Sequence, residues 1–418
     1  MLLIAVIGLS IQTATAQNEF LEIVQGPGYT QEVYVDCSTG QTTTVSMDSW
    51  DIAFSGGTSA GIWINEGSSS EGNPVALFAL EGTHAFSDTL TPDQAGIRLY
   101  NDENGHGAFG RVASANNPFD LGWGVYDPVS HTVSEGPIYL IQNRDSSWLK
   151  FRVENLSSGQ FVFEYASLDN SGYQRDSVDT RGADDRVMVH YSLRDRAPVT
   201  AIPADWDVVF TRYVTPLPDG QGNILDYMVT GVLQAPGVAA TEVVTLDPEN
   251  RNFDASTDSL QTALDVIGYD WKSFDLQTFT WAIPDTVVYF IQDREGQLWK
   301  WQFIDFEGSA TGTSVLAQSE ADLVSSTGSV AFSPDFSVRA FPNPVVDQFQ
   351  VQLEQEVEAA TELRWSLTDL QGRVLKNGRR NGWDAETWVV PVRDLPAGAY
   401  VLQVQHGRFL ATQTITKR

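Results

Sequence analysis

Imidazole, thiol and thioether are scarce in this chain, so the few present are quickly weighed as ligands or catalysts. There are five histidines, His84, His106, His131, His190 and His406, one cysteine and four methionines. His106 sits in the glycine-rich run Asn104-Gly105-His106-Gly107 and His131 follows Val129-Ser130, both contexts of loop or turn. No G-x-S-x-G, H-E-x-x-H, Walker loop or G-x-G-x-x-G between strand and helix is present. Carboxylates are abundant, but nothing sets one pair apart as a general acid and base. Asp219-Gly220-Gln221-Gly222-Asn223 has too few carboxylates for a calcium loop and reads as a glycine-rich turn. We therefore expect no enzyme, and Cys37 is expected to be a small core residue on a strand.

The elements around these residues are expected to be strands. The 418 residues are 42% hydrophobic and 19% charged, enough apolar material for two or three cores. Alternating runs of Val, Thr, Tyr, Phe and Trp, broken by Gly, Asn, Asp and Pro, recur nearly everywhere and predict an all-β chain. One short helix is expected at 260–267, with Ser256 and Asp258 as caps. The net charge of −29 excludes nonspecific affinity for nucleic acid or anionic lipid and suits a soluble acidic surface. The apolar run Leu2–Ile11, followed by Ala14-Thr15-Ala16, has the form of a signal peptide over residues 1–16, although the usual basic residue before the run is missing. That run is too short to span a bilayer, so no transmembrane segment is expected. The lone Cys37 permits no intramolecular disulfide.

Two motifs recur in the same order. Trp50-Asp51-Ile52-Ala53-Phe54 returns as Trp206-Asp207-Val208-Val209-Phe210, 156 positions later. Ile138-Tyr139-Leu140-Ile141-Gln142-Asn143-Arg144-Asp145 returns 150 positions later as Val288-Tyr289-Phe290-Ile291-Gln292-Asp293-Arg294-Glu295. The spacing predicts a tandem duplication, with domains at 17–171 and 186–322, a polar linker at 172–185 and a second linker at 323–337. Each copy would lead with an extended strand, 33–36 or 187–193, and close with a hairpin in which Tyr139 and Ile141 share one face. The repeated Trp and Asp are read as structural, the indole filling the core and the carboxylate accepting backbone hydrogen bonds.

The last eighty residues carry three further motifs: Val338-Arg339-Ala340-Phe341-Pro342-Asn343-Pro344-Val345, Leu367-Thr368-Asp369-Leu370-Gln371-Gly372-Arg373-Val374, and Asp394-Leu395-Pro396-Ala397-Gly398-Ala399-Tyr400-Val401-Leu402. Pro342 and Pro344 must lie outside a central strand, while Gly372 and Gly398 suit positions of positive φ. With the closing Lys417-Arg418, this region resembles the C-terminal sorting domain of the Bacteroidetes type IX secretion system. That resemblance implies a small β-sandwich over 338–418, a secreted or cell-surface location and the type IX translocon as a partner.

The two repeats resemble the HmuY family of haem-binding proteins through the W-D-x-x-F strand, Phe210-Thr211-Arg212-Tyr213, and the Y-x-I-Q-x-R-[D/E] hairpin with its following Lys-aromatic strand. The resemblance implies two tandem HmuY-like antiparallel β domains and haem as cofactor, delivered free or by a haem-carrying protein. In the family two axial side chains hold the iron. The nearest counterparts are His106, after a glycine-rich turn, and His131, a few residues after Gly122-Trp123. Trp123, Tyr126 or Phe109 would then pack on the porphyrin. The second repeat has no histidine between Asp205 and Glu320, and Met228 is its only thioether, so it is expected to bind no haem in this way. Met47 is read as core, and His406 as part of the sorting domain. The alternative is a surface adhesion or structural module without haem, whose exposed tryptophans would contact glycan or peptide.

Overall fold

β-branched and aromatic side chains at period two, cut by turn residues, satisfy their backbone groups by pairing into antiparallel ladders. The computed structural model of the chain describes residues 19–56, 60–102, 107–181, 188–321, 323–324, 338–353, 362–368, 374–381, 387–406 and 409–418. Strands dominate, and no α-helix occurs among the described residues. The all-β expectation is met. Residues up to Phe253, with Thr257–Leu323, form one compact unit, and the residues from Val324 onward belong to a second. The signal-peptide reading of residues 1–16 lies outside the described residues.

In the first unit the strands are β1 (Glu19–Val24), β2 (Gln31–Val35), β3 (Thr42–Ser46), β4 (Ile52–Ser55), β5 (Gly61–Ile64), β6 (Ala76–Leu80), β7 (Ala95–Leu99), β8 (Tyr126–Asp127), β9 (Thr132–Val133), β10 (Tyr139–Gln142), β11 (Trp148–Ser157) and β12 (Gln160–Ser167). They continue as β13 (Gln174–Asp179), β14 (Val189–Ser192), β15 (Ala197–Pro198), β16 (Val208–Pro218), β17 (Ile224–Gln234), β18 (Ala239–Val244), β19 (Phe253–Asp254), β20 (Ser273–Asp275), β21 (Thr280–Ala282), β22 (Val287–Gln292), β23 (Leu298–Phe306) and β24 (Thr313–Glu320).

Pairing crosses between the segments expected to be successive domains. One sheet runs β17-β16-β2-β3 and another β15-β14-β4-β5, so the leading strand of each half pairs with the Trp-Asp strand of the other. Val35 lies opposite Val208, and Tyr191 opposite Ile52. The larger sheets repeat the exchange. β1 joins β24 on the edge of β24-β23-β22-β18, and β13 joins β12 on the edge of β12-β11-β10-β6-β7. Segments 17–171 and 186–322 therefore interleave within one unit, a correction to their reading as separate domains. The linker expected at 172–185 is likewise corrected where it is described: Gln174–Asp179 form β13, which begins 155 positions after β1. Of the linker expected at 323–337, only 323–324 are described.

The two largest of the unit's apolar clusters draw on both halves. In the first, Tyr34, Trp50, Trp206, Phe210 and Trp301 bring both halves together. In the second, Phe54, Trp123, Tyr139, Phe151, Phe163 and Tyr191 do the same. Tyr139 and Ile141 share this second core while Leu140 points into a third, as the hairpin alternation predicts. The helix expected at 260–267 is absent. Asp258, its expected cap, instead binds Arg251, and the backbone is drawn into the sheets through Gln261 N to Ala240 O at 2.8 Å and Gln234 N to Leu264 O at 2.6 Å. Tertiary hydrogen bonding outweighs a weak local propensity here.

The second unit has a three-stranded sheet of Val338–Phe341, Gln348–Leu353 and Thr387–Pro391, and a four-stranded sheet of Val374–Asn381, Glu362–Thr368, Gly398–His406 and Phe409–Lys417. Their inner faces share one core, with Phe349, Trp388, Leu402 and Ile415 at its centre. Pro342 and Pro344 follow the first strand, as expected. Gly372 lies outside the described residues. Gly398 is corrected: it begins a strand, and its φ is not among the positive values found in the chain.

Candidate functional site

The hairpin of β8 and β9 positions His131. Its turn, Pro128 to His131, is closed by the His131 N–H donating to Asp127 O at 2.9 Å, with His131 itself at φ 55°. Asp127 accepts the Val129 N–H at 2.8 Å and the Ser130 hydroxyl at 2.9 Å. Those two bonds, in that order of effect, hold its carboxyl below the ordinary range. His131 is exposed, and its Nδ1 is hydrogen-bonded to the Tyr126 hydroxyl at 2.7 Å. If Nδ1 carries the ring proton it donates to the phenolic oxygen, and the Nε2 lone pair is left to ligate.

The ring borders a cavity of about 540 Å³ whose walls include Pro118, Leu121, Tyr126, Val133 and Leu156. Such a volume and such apolar walls are those of small-molecule sites. Tyr126, one of the aromatics expected to wall a porphyrin, lines this cavity. Trp123 and Phe109 do not. Both are fully buried, and the hydroxyl of Tyr139 donates to Phe109 O at 3.1 Å and to Gly122 O at 3.0 Å. Gly122 has φ 82°, and a Cβ there would come within 2.2 Å of Phe109 O, so only glycine allows the chain this close approach. The two aromatics therefore anchor the loop that carries the hairpin. His106 lies outside the described residues. Met47 is core, 1% exposed.

A second constellation was not anticipated. Glu32, 2% exposed, accepts the Trp50 indole N–H at 2.8 Å, the Tyr34 hydroxyl at 2.9 Å and the Thr211 hydroxyl at 2.7 Å. Burial raises its carboxyl above the usual range, with these donors opposing. His190 packs edge-on to Trp50, with ring centroids 4.8 Å apart, and edge-on to Tyr34 at 5.9 Å. The signal was present in the chain: the 156-residue offset that relates Trp50 to Trp206 also relates Tyr34 to His190. Among the described residues, no group of three or more His, Cys, Asp or Glu side chains forms a metal site.

Comparison with known proteins places both ends of this picture. Residues 339–418 match the family described as the secretion system C-terminal sorting domain. The chain is exported by the type IX system, to the cell surface or into the medium. Residues 28–165 match the family described as HmuY protein, a family of ligand-binding proteins. The solved structure of apo PinO from Porphyromonas gingivitis is similar to 74% of this chain and 99% of its own, at 10% identity and a TM-score of 0.23. No curated protein matches the chain. No helix among the described residues is long and apolar enough to cross a membrane.

Proposed function

We propose that this exported protein captures haem at the cell exterior, with His131 as one axial ligand and the cavity beside it receiving the porphyrin edge. The observation that carries the reading is the 2.7 Å bond between His131 Nδ1 and the Tyr126 hydroxyl at the mouth of an apolar cavity of about 540 Å³. The bond orients the ring and, with the Nδ1 proton donated to the phenolic oxygen, leaves Nε2 to ligate, the role that outer-shell partners play for metal-binding histidines. Bound haem would supply the iron, and the protein would supply the axial nitrogen, the apolar wall and the exclusion of water from one face. His106 is assigned the second axial position on its sequence context alone.

The test is a haemin titration of the chain from Gln17 onward, followed by absorbance. A sharp low-spin Soret band saturating near one haem, and lost in both His106→Ala and His131→Ala, is expected. A broad spectrum that never saturates and ignores both substitutions would remove haem capture.

One observation favours a second reading, a surface adhesion module. The hairpin of β20 and β21 presents Phe274, Phe279 and Trp281, 42%, 76% and 37% exposed, as a contiguous aromatic group. Such a surface suits contact with glycan or peptide. Retention of the purified protein on a glycan or peptide array, lost with Trp281→Ala, would support it.

A further inference from the structure

The two halves of the first unit meet around a cavity of about 70 Å³, separate from the His131 pocket and sharing no lining residue with it. Its lining is repeated in position. Glu32 and Met188, Tyr34 and His190, and Trp50 and Trp206 are pairs at the 156-residue offset, and all six line it. Trp63 and Leu233 extend the correspondence, lying opposite Ala53 and Val209, themselves at that offset, in the β4·β5 and β16·β17 ladders. Position is duplicated while chemistry has diverged: one half brings a carboxyl, a phenol and an indole where the other brings a thioether, an imidazole and an isobutyl group.

Glu32 and Glu66 are two buried carboxyls in this lining, and Glu32 is the one that meets the indoles. A buried carboxylate is ordinarily matched by a cation. Glu32 has three hydrogen-bond donors, which oppose the burial that favours its neutral form, and among the described residues no Lys or Arg stands within ion-pair distance of it, Arg144 acting on it from further away. Arg212 also lines the cavity, yet its guanidinium lies over the Tyr29 ring at 5.7 Å and donates to Ser68 O at 2.6 Å. Around this carboxyl stand the indoles of Trp50, Trp63 and Trp206, whose π faces attract cations. A protein of net charge −29 also concentrates cations at its surface. Arg212, Leu233 and Leu264 are only partly buried, which makes their side of the cavity the thinnest.

We propose that this cavity binds a small organic cation, an ammonium head with methyl or short alkyl substituents, with Glu32 as counterion and the three indoles as walls. Cation and carboxylate neutralise one another among the indoles, and the methyl groups fill the apolar remainder.

The test uses the full chain from Gln17, titrated separately with methylammonium, trimethylammonium and tetramethylammonium chloride and with neutral tert-butanol at constant ionic strength, and followed by calorimetry and tryptophan fluorescence. Saturable binding of one ammonium, roughly tenfold or more tighter than tert-butanol, is expected. Glu32→Gln, whose amide oxygen can accept from Trp50 and Tyr34 while its NH2 donates to the Thr211 hydroxyl oxygen, removes the charge and is expected to abolish that preference. Equal binding of tert-butanol, no binding of any ammonium, or a folded Glu32→Gln protein with unchanged preference would each overturn the proposal. The wild-type comparison decides the matter even if Glu32→Gln does not fold.

Discussion

The carboxylate of Asp207 accepts the backbone N–H of Cys37 at 2.8 Å, joining positions 170 residues apart in the chain. Asp51 makes the counterpart bond to the Leu193 N–H at 2.7 Å. Each aspartate also donates its own N–H across the same junction, Asp207 to Val35 O and Asp51 to Tyr191 O, both at 2.9 Å. The repeated Trp-Asp pair is thus a clamp on the leading strand of the other half. Asp51→Ala and Asp207→Ala are each expected to cost about 1–3 kcal/mol, since a buried N–H loses a charged acceptor. Urea unfolding curves measure this, and a loss under about 0.5 kcal/mol for both would refute the clamp.

The Asp207 clamp is also expected to depend on pH. Burial, only partly offset by the Cys37 N–H, pushes its carboxyl up to about 6. The folded state therefore holds a proton that the unfolded chain has released between about pH 4 and pH 6. The stability due to this group is complete below pH 4 and falls by roughly 3 kcal/mol as pH rises through 6. Comparing wild type with Asp207→Asn over pH 4 to 7 isolates it, and a difference that stays flat across that range contradicts the assignment.

Lys272 works in the opposite sense. It is 7% exposed, donates to Thr230 O at 2.7 Å and lies 4.1 Å from the centroid of the Trp271 ring, and burial lowers its ammonium to about 7. Between pH 7 and about 10 the unfolded chain binds the extra proton, so stability rises with pH by roughly 3–5 kcal/mol. Denaturant unfolding of wild type against Lys272→Met at pH 7 and 9.5 should show this gain in wild type only.

Reciprocal pairing predicts that neither half folds alone. A fragment of residues 17–182 loses the sole partner of β1 and one of the two partners of β2 and of β4, and its counterpart of 183–322 loses one of the two partners of β14, β16 and β24. Separately each is expected to give an uncooperative melt, and mixed they should form a one-to-one complex with a single transition. Cooperative unfolding of either fragment as a monomer would show that the halves are independent.

On the haem proposal, Tyr126→Phe leaves the cavity wall but frees the His131 ring. Haemin affinity is then expected to fall about 10–100-fold with stability unchanged. An unaltered titration would mean that the hydrogen bond does not orient the ligand.

Period-two alternation and turn chemistry determine strands locally, so the all-β class, the Tyr139 to Gln142 hairpin with its faces, and the repeated Trp-Asp motif could all be read from the chain. The sorting domain was legible for a similar reason, because its motifs are contiguous. A strand's pattern specifies which of its faces is buried but not which strand lies beside it, and so the exchange between the halves came only from the tertiary structure. Trp123 and Phe109 are core, not cofactor wall: both settings ask for the same apolar side chains, and only packing distinguishes them. The segment at 260–267 lost its helix to hydrogen bonds from Ala240 and Gln234, partners that no local window contains. Glu32 and His190 carry no motif at all. Their meeting around one cavity depends on β2 and β14 exchanging partners, which brings together side chains more than 150 residues apart.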